Sequence, residues 1–377
     1  MSESSRRSAI RESLPACAVL LAGGRGTRFW PRSRMRTPKQ LLNIVGRETM
    51  LRETMNRLAP LFPPRNVWAV TNVEQSTAVR RELRGVPVSH VLAEPTGRNT
   101  AAAIGLSAIH LAYEHGDALM AVLPSDAYIR DAAKYRTLVR AALELARTPG
   151  SLVVVGIPPS RPETGYGYIE RGGSSRRPRG VRAYAVRRFT EKPALPVARS
   201  YVASGKFFWN AGMFFWRVST FLENLRRFLP ATHESLIELG KAIGTRRYAS
   251  ALWRIYPRLE NISVDYAVME PATRIAGKPR VSVIPADVGW SDIGSWAAVY
   301  ELLAARPGAN VSAGAAFAHD ADGNYFWSPK KFVAAIGVRD LVLVETDDAL
   351  LLCSRDRSQD VGKVVKWLEA QRQARLL

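Results

Sequence analysis

Short apolar runs alternate with amphipathic stretches over the first 157 residues of the chain. Apolar runs of strand length occur at 17–22, 67–70, 118–123 and 152–157. Between them lie stretches with helical spacing, of which residues 99–115 are the clearest. Strands separated by helices predict a parallel sheet with helices on both faces. Ligands bind beyond the carboxyl ends of such strands, so we expect the chemically important residues directly after them.

The pattern changes in the second half of the chain. An aromatic run, FFWNAGMFFW, spans 207–216, and we interpret it mainly as core. After Pro307-Gly308 come short strand-like pieces and a final amphipathic helix at about 357–372. These patterns predict a loose, flexible tail (1–15), a large α/β domain (16–304) and a small β-rich C-terminal domain ending in a helix (305–377).

Composition is that of a folded globular protein, with 47% apolar and 23% charged residues in 377. No apolar run is long enough to span a membrane, and the N-terminus lacks the apolar core of a signal peptide. We therefore expect a cytoplasmic protein without a membrane partner. The five scattered histidines do not suggest zinc, and two cysteines are too few for a disulfide framework.

The net charge of +21 fits nucleic acid, an anionic membrane surface or small phosphorylated substrates. The densest basic run, RGGSSRRPRGVRAYAVRR at 171–188, lacks the aromatic interleaving of a nucleic-acid motif. We interpret this run as a solvated basic loop. Net charge alone does not exclude nucleic-acid binding, so the sequence motifs are needed to distinguish among these ligands.

A glycine-rich loop follows the first predicted strand, within LAGGRGTRFWPRSRMRTPKQLL (21–42). Glycines let backbone N–H groups approach phosphate oxygens closely, and here they are Gly23, Gly24 and Gly26. The loop is neither a Walker loop nor a dinucleotide fingerprint, and alone it is weak evidence. Arg28, Arg34 and Lys39 add cations on the same loop, and a loop of this kind suits a triphosphate.

The full string, G-G-x-G-T-R-x-W-P-x-S-R-x-x-x-P-K-Q, resembles the sugar-phosphate nucleotidyltransferases, and specifically the mannose-1-phosphate guanylyltransferases. Further segments follow in that family's order: EPTGRNTAAAI (94–104), LPSDAYI (123–129), TGYGYIE (164–170), FTEKP (189–193), WNAGMFFW (209–216), SVDYAVME (263–270) and GWSDIGSW (289–296). The resemblance implies a Rossmann-like mixed sheet flanked by helices. It also implies Mg²⁺-dependent transfer of GMP from GTP to mannose 1-phosphate, without a covalent intermediate.

The resemblance implies that Asp126 and Asp292 ligate Mg²⁺, since two carboxylates can hold a hard cation that bridges phosphates. Without the resemblance, Asp126 would be interpreted as a helix cap and Asp292 as a turn-forming residue. Arg28 and Lys39 are predicted to contact the triphosphate, although Lys39 alone would be read as a surface lysine. We predict as catalytic residues Arg28, Lys39, Asp126, Lys192 and Asp292.

The predicted nucleotide-binding residues are Gly23, Gly24, Gly26, Thr27, Glu94, Gly97, Asn99 and Ser125. A carboxylate at Glu94 matches the N1–H and exocyclic amine of guanine, which favours GTP over other nucleotides. Asn99 has two interpretations that stay open: contact with the base, or capping of the helix that follows.

The predicted sugar-phosphate site consists of Gly165, Tyr166, Glu191, Lys192 and Asn210. The resemblance implies that Lys192 binds the phosphate of the sugar and that Glu191 accepts hydrogen bonds from sugar hydroxyls. Taken alone, the adjacent Glu191 and Lys192 would form a surface ion pair of little energetic value.

Two residues depart from the family pattern. Ala127 stands where the family has histidine, and Ala102 where it has proline. We expect the first to affect rate or metal affinity and the second only loop stiffness. Longer relatives carry an added phosphomannose-isomerase domain, so a monofunctional enzyme is expected, with a homodimer contact in the C-terminal section.

Three other interpretations compete with this one. The same reaction with another sugar 1-phosphate is the nearest. A catalytically silent paralogue that binds GDP-mannose and regulates a partner is the second, although the charged residues above argue against it. A nucleic-acid-binding protein is the third, and a steep salt dependence of binding would identify it.

Overall fold

The computed structural model describes residues 14–275 and 280–377. Most of the predicted tail, residues 1–13, lies outside this part of the chain. The helices are α1 (Met50–Leu58), α2 (Ser76–Glu82), α3 (Asn99–His115), α4 (Ala132–Ala146), α5 (Leu195–Ser204), α6 (Val218–Phe228), α7 (Pro230–Gly240), α8 (Tyr248–Ile255), α9 (Glu270–Thr273), α10 (Trp296–Leu303) and α11 (Gly362–Ala370).

The strands are β1 (Ala16–Leu21), β2 (Val67–Asn72), β3 (Val91–Glu94), β4 (Leu119–Pro124), β5 (Tyr128–Ile129), β6 (Ser151–Ile157), β7 (Tyr168–Arg176), β8 (Ala183–Thr190), β9 (Phe207–Arg217), β10 (Arg280–Pro285), β11 (Trp290–Ser291), β12 (Val311–Ala313), β13 (Ala316–His319), β14 (Tyr325–Trp327), β15 (Val333–Ile336), β16 (Leu341–Glu345) and β17 (Leu350–Ser354). Each of the four apolar runs at 17–22, 67–70, 118–123 and 152–157 overlaps a strand, and the helix predicted over 99–115 is present with those bounds.

The described residues form a nine-stranded mixed sheet in the order β3-β2-β1-β4-β9-β6-β10-β8-β7. The segment β3-β2-β1-β4 is parallel, as the alternation of strands and helices predicts. The aromatic strand β9 runs antiparallel to both β4 and β6. The prediction of a parallel sheet is therefore wrong for the whole sheet, whereas the mixed sheet implied by the resemblance is confirmed. This arrangement confirms the α/β fold class implied by the resemblance.

Helices cover both faces of the sheet because the central strands are apolar on both sides. In β1, Cys17 and Val19 pack with α3 and α6 on one face, and Ala18 and Leu20 pack with α1 and α4 on the other. All four side chains are fully buried. Much of the aromatic run in β9 is core, as predicted, with Phe215 and Trp216 also fully buried.

The basic run at 171–188 is not a loop along most of its length. It belongs to an antiparallel pairing of β7 with β8. Buried Ala183 and nearby Phe189 fix β8 to the core, while arginines between and beside them face solvent. Arg188 lies 3.1 Å from Glu170 on the neighbouring strand. The prediction of a loop failed because the arginines obscured a weak two-residue alternation.

The C-terminal part is built from short strands, mostly paired in parallel. β12, β14, β16 and β17 form one small sheet, and β13 pairs with β15. The chain then passes through a 3-10 segment, Arg355–Val361, into α11, so the predicted terminal helix is present but shorter. Within the described residues, no helix combines the length and apolar character needed to cross a bilayer.

An apolar cluster distinct from those on the two faces of the sheet joins the α/β domain to the C-terminal domain. It brings together Phe29 from the glycine-rich loop, Trp296 from α10 and Val365 from α11. The fully buried Trp296 ring lies 5.0 Å from the ring of Phe29 and 5.6 Å from that of Tyr325. The C-terminal domain is therefore packed directly against the loop that follows β1.

Candidate active site

The carboxyl ends of the parallel strands gather several predicted site residues at one edge of the sheet. β1 and β4 pair in register, with Leu21 beside Pro124, so the glycine-rich loop and Ser125 start side by side. The Ser125 hydroxyl donates a 2.7 Å hydrogen bond to the carbonyl oxygen of Leu21. β3 ends at Glu94 on the same edge. This is where ligands bind in open α/β sheets.

The residues that follow the glycine-rich loop pack against it and hydrogen-bond to its backbone. Gly26 has φ +60°, and a β-carbon there would lie 2.5 Å from Cβ of Lys39 and 2.8 Å from its backbone nitrogen. The buried Gln40 amide donates to the carbonyl oxygens of Ala22 (2.7 Å) and Gly24 (3.1 Å). Sequence reasoning assigned no role to Gln40, although it closes the quoted P-K-Q string.

Lys39 connects the two predicted metal ligands. Its ammonium lies 3.0 Å from Oδ2 of Asp126 and also donates to the carbonyl oxygen of Asp292. The two aspartates are brought together because β5, just after Asp126, pairs with β11, just before Asp292. Lys39 is buried, whereas the Asp126 side chain is 43% exposed and open to a ligand. Ala127, beside it, is buried.

The donor set suits a hard divalent cation. Magnesium in phosphate-handling sites is held by one or two carboxylates, with substrate phosphates and water completing the shell. Asp126 presents a carboxylate oxygen 3.0 Å from the Lys39 ammonium, and the backbone carbonyl oxygen of Asp292 accepts from the same ammonium, which provides a compensating positive charge beside both aspartates. The residues present therefore fit the group that the sequence predicts.

A cavity of about 240 Å³ opens beside the loop. Its lining includes the predicted nucleotide-binding residues Gly23, Gly24, Glu94, Gly97 and Asn99. Oδ1 of Asn99 accepts a 2.9 Å hydrogen bond from the adjacent N–H of Thr100, but α3 begins at Asn99 itself and its N-cap position, Arg98, makes no side-chain capping hydrogen bond within the described part of the chain. The capping interpretation of Asn99 is therefore not supported, whereas its place in the cavity agrees with contact to the base. Thr27 lies farther along the loop, in the 3-10 turn Thr27–Phe29.

Glu94 is the buried carboxylate of this cavity. The Tyr256 hydroxyl donates a 2.5 Å hydrogen bond to its Oε1. Burial raises the pKa of Glu94 to about 7, while hydrogen bonds from Tyr256 and from the backbone N–H of Arg98 act in the opposite direction. Tyr256 was missed by sequence reasoning, because nothing in its local pattern separates it from an ordinary core tyrosine.

The predicted sugar-site residues lie on neighbouring segments. The backbone N–H of Lys192 donates to the carbonyl of Tyr166 (3.2 Å), and the N–H of Asn210 donates to that of Gly167 (2.8 Å). A β-carbon at Gly167 would lie 2.4 Å from Oε2 of Glu191, so a larger residue there would have to displace this carboxylate. Gly165 lies in the preceding turn, where its N–H donates to Glu163.

Tyr166 links the sugar site to the aspartate pair. Burial, and next the Asp292 carboxylate, raise the pKa of Tyr166 above its usual range. Its ring also lies 5.8 Å from that of Trp290, in the strand that precedes Asp292. The two groups of predicted residues are therefore adjacent.

Asp265 is an acidic residue of this site that sequence reasoning left without a role. Its Oδ1 accepts a 2.7 Å hydrogen bond from the Asn210 amide. Burial first, and then the Asp265 charge, raise the pKa of Glu191 above its ordinary value, while Lys192 at 3.3 Å lowers it. Oε2 of Glu191 is buried and has no hydrogen-bond partner among the described residues. The signal was present, since Asp265 belongs to the quoted SVDYAVME segment.

Comparison with known proteins defines the class. Residues 17–306 match the model of the nucleotidyl transferase family, and the chain belongs to this family. Residues 315–368 match the MannoseP isomerase/GMP-like beta-helix domain. The chain is thus a nucleotidyltransferase, in agreement with the prediction from its motifs.

Individual relatives indicate which group of nucleotidyltransferases this chain is similar to. The chain is 39% identical over 358 residues to a mannose-1-phosphate guanylyltransferase of Escherichia coli, covering 93% of this chain and 73% of the relative. It is also 39% identical over 362 residues to the xanthan biosynthesis protein XanB of Xanthomonas campestris pv. campestris strain B100, with the same coverage. A crystal structure from Thermus thermophilus, described as a mannose-1-phosphate geranyltransferase, matches with TM-score 0.84 and 34% identity over 94% of this chain and 100% of that chain. These similarities confirm the resemblance to mannose-1-phosphate guanylyltransferases.

Proposed function

We propose that this enzyme transfers GMP from GTP to α-D-mannose 1-phosphate, giving GDP-mannose and pyrophosphate, with Mg²⁺ as cofactor. The proposal rests on one observation: the glycine-rich loop borders both the cavity that contains Glu94 and the aspartate pair held by Lys39. Gly23 lines the cavity that contains Glu94, and Gly26 packs on Lys39, which holds Asp126 and Asp292. A nucleotide with its base in the cavity would lay its phosphates along this loop toward Lys39.

The reaction joins two polyanions. An oxygen of the sugar phosphate attacks the α-phosphorus of GTP and forms the new P–O bond, while the bond from the α-phosphorus to the bridging oxygen breaks and pyrophosphate leaves. The nucleophile belongs to the substrate, so no covalent enzyme intermediate is needed. The task of the protein is to neutralise charge and hold the reactants in line. Arg28 and Lys39 supply fixed positive charge on the loop.

Asp126 and Asp292 are the residues that would hold Mg²⁺. When bound, the ion supplies Lewis-acid neutralisation of phosphate charge. The buried Lys39 keeps the two aspartates together, because its ammonium contacts the carboxylate of one and the carbonyl oxygen of the other. Ser125, hydrogen-bonded to Leu21, fixes the start of the segment that carries Asp126.

Substrate choice is assigned to two buried carboxylates. Glu94 in its ionised form accepts hydrogen bonds from N1–H and the exocyclic amine of guanine, whereas uracil and thymine lack that donor pair. Glu191 presents a buried oxygen without a partner among the described residues, which suits a sugar hydroxyl. The exposed ammonium of Lys192 beside it suits the phosphate of the sugar. The names of the relatives support mannose 1-phosphate as this sugar.

The test is pyrophosphate release with Mg²⁺ across the common nucleoside triphosphates and several sugar 1-phosphates. We expect turnover with GTP and mannose 1-phosphate, lost in Asp126→Ala and Asp292→Ala. Turnover with another pair of substrates would overturn the assignment of GTP and mannose 1-phosphate. If the folded protein binds GDP-mannose yet releases no pyrophosphate with any pair, the proposed reaction is wrong.

A further inference from the structure

Residues 355–370 of the C-terminal domain pack on the glycine-rich loop. Arg25 of the loop lies 2.5 Å from Glu369, and Nη1 of Arg28 donates a 2.7 Å hydrogen bond to Oε1 of Gln359. A β-carbon at Gly362 would lie 3.5 Å from the hydroxyl oxygen of Thr27. The C-terminal domain therefore contacts side chains on the loop assigned to the triphosphate.

Arg28 lies close to Asp292, one of the two predicted metal ligands. A β-carbon at Gly294 would lie 3.4 Å from Nη1 of Arg28 and 2.7 Å from Oδ2 of Asp292. The Arg28 guanidinium and the Asp292 carboxylate thus both border the turn at Gly294. A long exposed arginine side chain loses rotamer entropy when a ligand fixes it, so a partner that fixes it beforehand improves binding.

Gln359 suits that role by chemistry. Its amide oxygen is neutral, so it fixes one N–H of the guanidinium without cancelling the positive charge that phosphates require. The other N–H groups stay available for a bidentate phosphate contact. Glu369 on Arg25 differs in this respect, since a carboxylate cancels the charge it holds.

The backbone that carries Gln359 is itself fixed. The neighbouring Ser358 is buried, and its hydroxyl oxygen accepts a 3.3 Å hydrogen bond from the N–H of Ala297 in α10. Val361, two positions on, belongs to the apolar cluster shared by the two domains. The backbone from which the Gln359 side chain extends is therefore held in place on both sides.

We propose that Gln359 is a positioning residue through which the C-terminal domain orients Arg28 toward the triphosphate. This rests on the proposed function, because it assigns Arg28 to GTP. Loss of a hydrogen bond worth about 1 kcal/mol corresponds to about a fivefold change in affinity. Gln359→Leu is therefore expected to raise the Kd and the KM for GTP about fivefold.

The experiment uses the full chain and four variants: Gln359→Leu, Arg28→Ala, the double variant and Gln371→Leu. Gln371 is a matched control, since it is an exposed glutamine farther along the same C-terminal part. The GTP dissociation constant is measured by calorimetry, and kcat and both KM values by pyrophosphate release. We expect the KM for mannose 1-phosphate and the thermal midpoint of Gln359→Leu to stay at wild-type values, with Gln371→Leu unchanged throughout.

The double variant separates positioning from a purely structural effect. If Gln359 acts through Arg28, the double variant binds GTP as weakly as Arg28→Ala alone. A further fivefold loss in the double variant, or wild-type affinity in Gln359→Leu, would overturn the proposal. A wild-type chain that binds GTP but releases no pyrophosphate contradicts only the proposed reaction, since the dissociation constants still decide the role of Gln359. A wild-type chain that does not bind GTP overturns both.

Discussion

The hydroxyl of Tyr256 donates a hydrogen bond to Oε1 of Glu94, and both side chains are buried. The bond opposes the effect of burial, which raises the pKa of Glu94 to about 7. The ionisation state of the carboxylate assigned to guanine is therefore balanced near neutral pH. The Tyr256 hydroxyl keeps the pKa of Glu94 lower than burial alone would set it.

Replacing Tyr256 by phenylalanine removes the donor, so the pKa of Glu94 should rise further. Only the ionised carboxylate accepts from both guanine donors, so kcat/KM for GTP should fall several-fold near neutral pH and recover in alkali. ITP lacks the exocyclic amine and should lose less. The measurement is kcat/KM for GTP and ITP against pH.

The wild type serves as the control in this series. Its kcat/KM for GTP should fall as the pH drops through about 7, because protonation of Glu94 removes an acceptor. Identical pH profiles for the wild type and Tyr256→Phe would contradict the assigned role of the pair.

Two glycines of the loop should respond differently to alanine. Gly26 has φ +60°, and a β-carbon there meets the backbone of Lys39 at 2.8 Å. We expect Gly26→Ala to lower the free energy of unfolding by about 2 kcal/mol or more, through strain and displacement of Lys39. A β-carbon at Gly24, by contrast, would meet no atom of the described residues within 4 Å.

Gly24→Ala is the matched control for stability. It should change the free energy of unfolding by less than about 0.5 kcal/mol. The methyl group would nevertheless occupy space assigned to the triphosphate, so the KM for GTP should rise. Urea unfolding and initial rates measure the two effects, and equal loss of stability in both variants would contradict the geometry of the loop.

Local patterns predicted the elements well, whereas contacts between distant residues escaped prediction. The helix Asn99–His115 follows from its own apolar spacing and the Gly116 that ends it. The pairs Tyr256–Glu94 and Arg28–Gln359 join residues 162 and 331 positions apart, so no local pattern contains them. Asp265 lay inside a recognised segment, but its role depends on Asn210, which only the fold brings near.

Asp265→Asn should change the pH dependence of sugar-phosphate use. The Asp265 charge raises the pKa of Glu191, so its removal should let Glu191 ionise at lower pH. If ionised Glu191 accepts the sugar hydroxyl, the acid limb of kcat/KM for mannose 1-phosphate shifts to lower pH. The KM for GTP serves as the internal control and should stay constant. A shift in the opposite direction would contradict this coupling.

Trp296 should be the residue on which the contact between the two domains depends most. Its buried ring packs between Phe29 of the loop and Tyr325 of the C-terminal domain, and its indole N–H donates to the carbonyl of Trp30. Truncating a buried tryptophan to alanine costs about 3–5 kcal/mol. Trp296→Ala should therefore lower the free energy of unfolding by about that amount.

The matched control is Trp367→Ala, because the Trp367 side chain on α11 is 61% exposed. This change should cost less than about 1 kcal/mol. Since Trp296 supports the surface on which Gln359 meets Arg28, the folded Trp296→Ala protein should also bind GTP more weakly, whereas Trp367→Ala should not. Denaturant unfolding and GTP calorimetry on both variants test the link. A Trp296→Ala protein with lowered stability but wild-type GTP affinity would show that the loop keeps its geometry without the packing of Trp296, and would contradict this link.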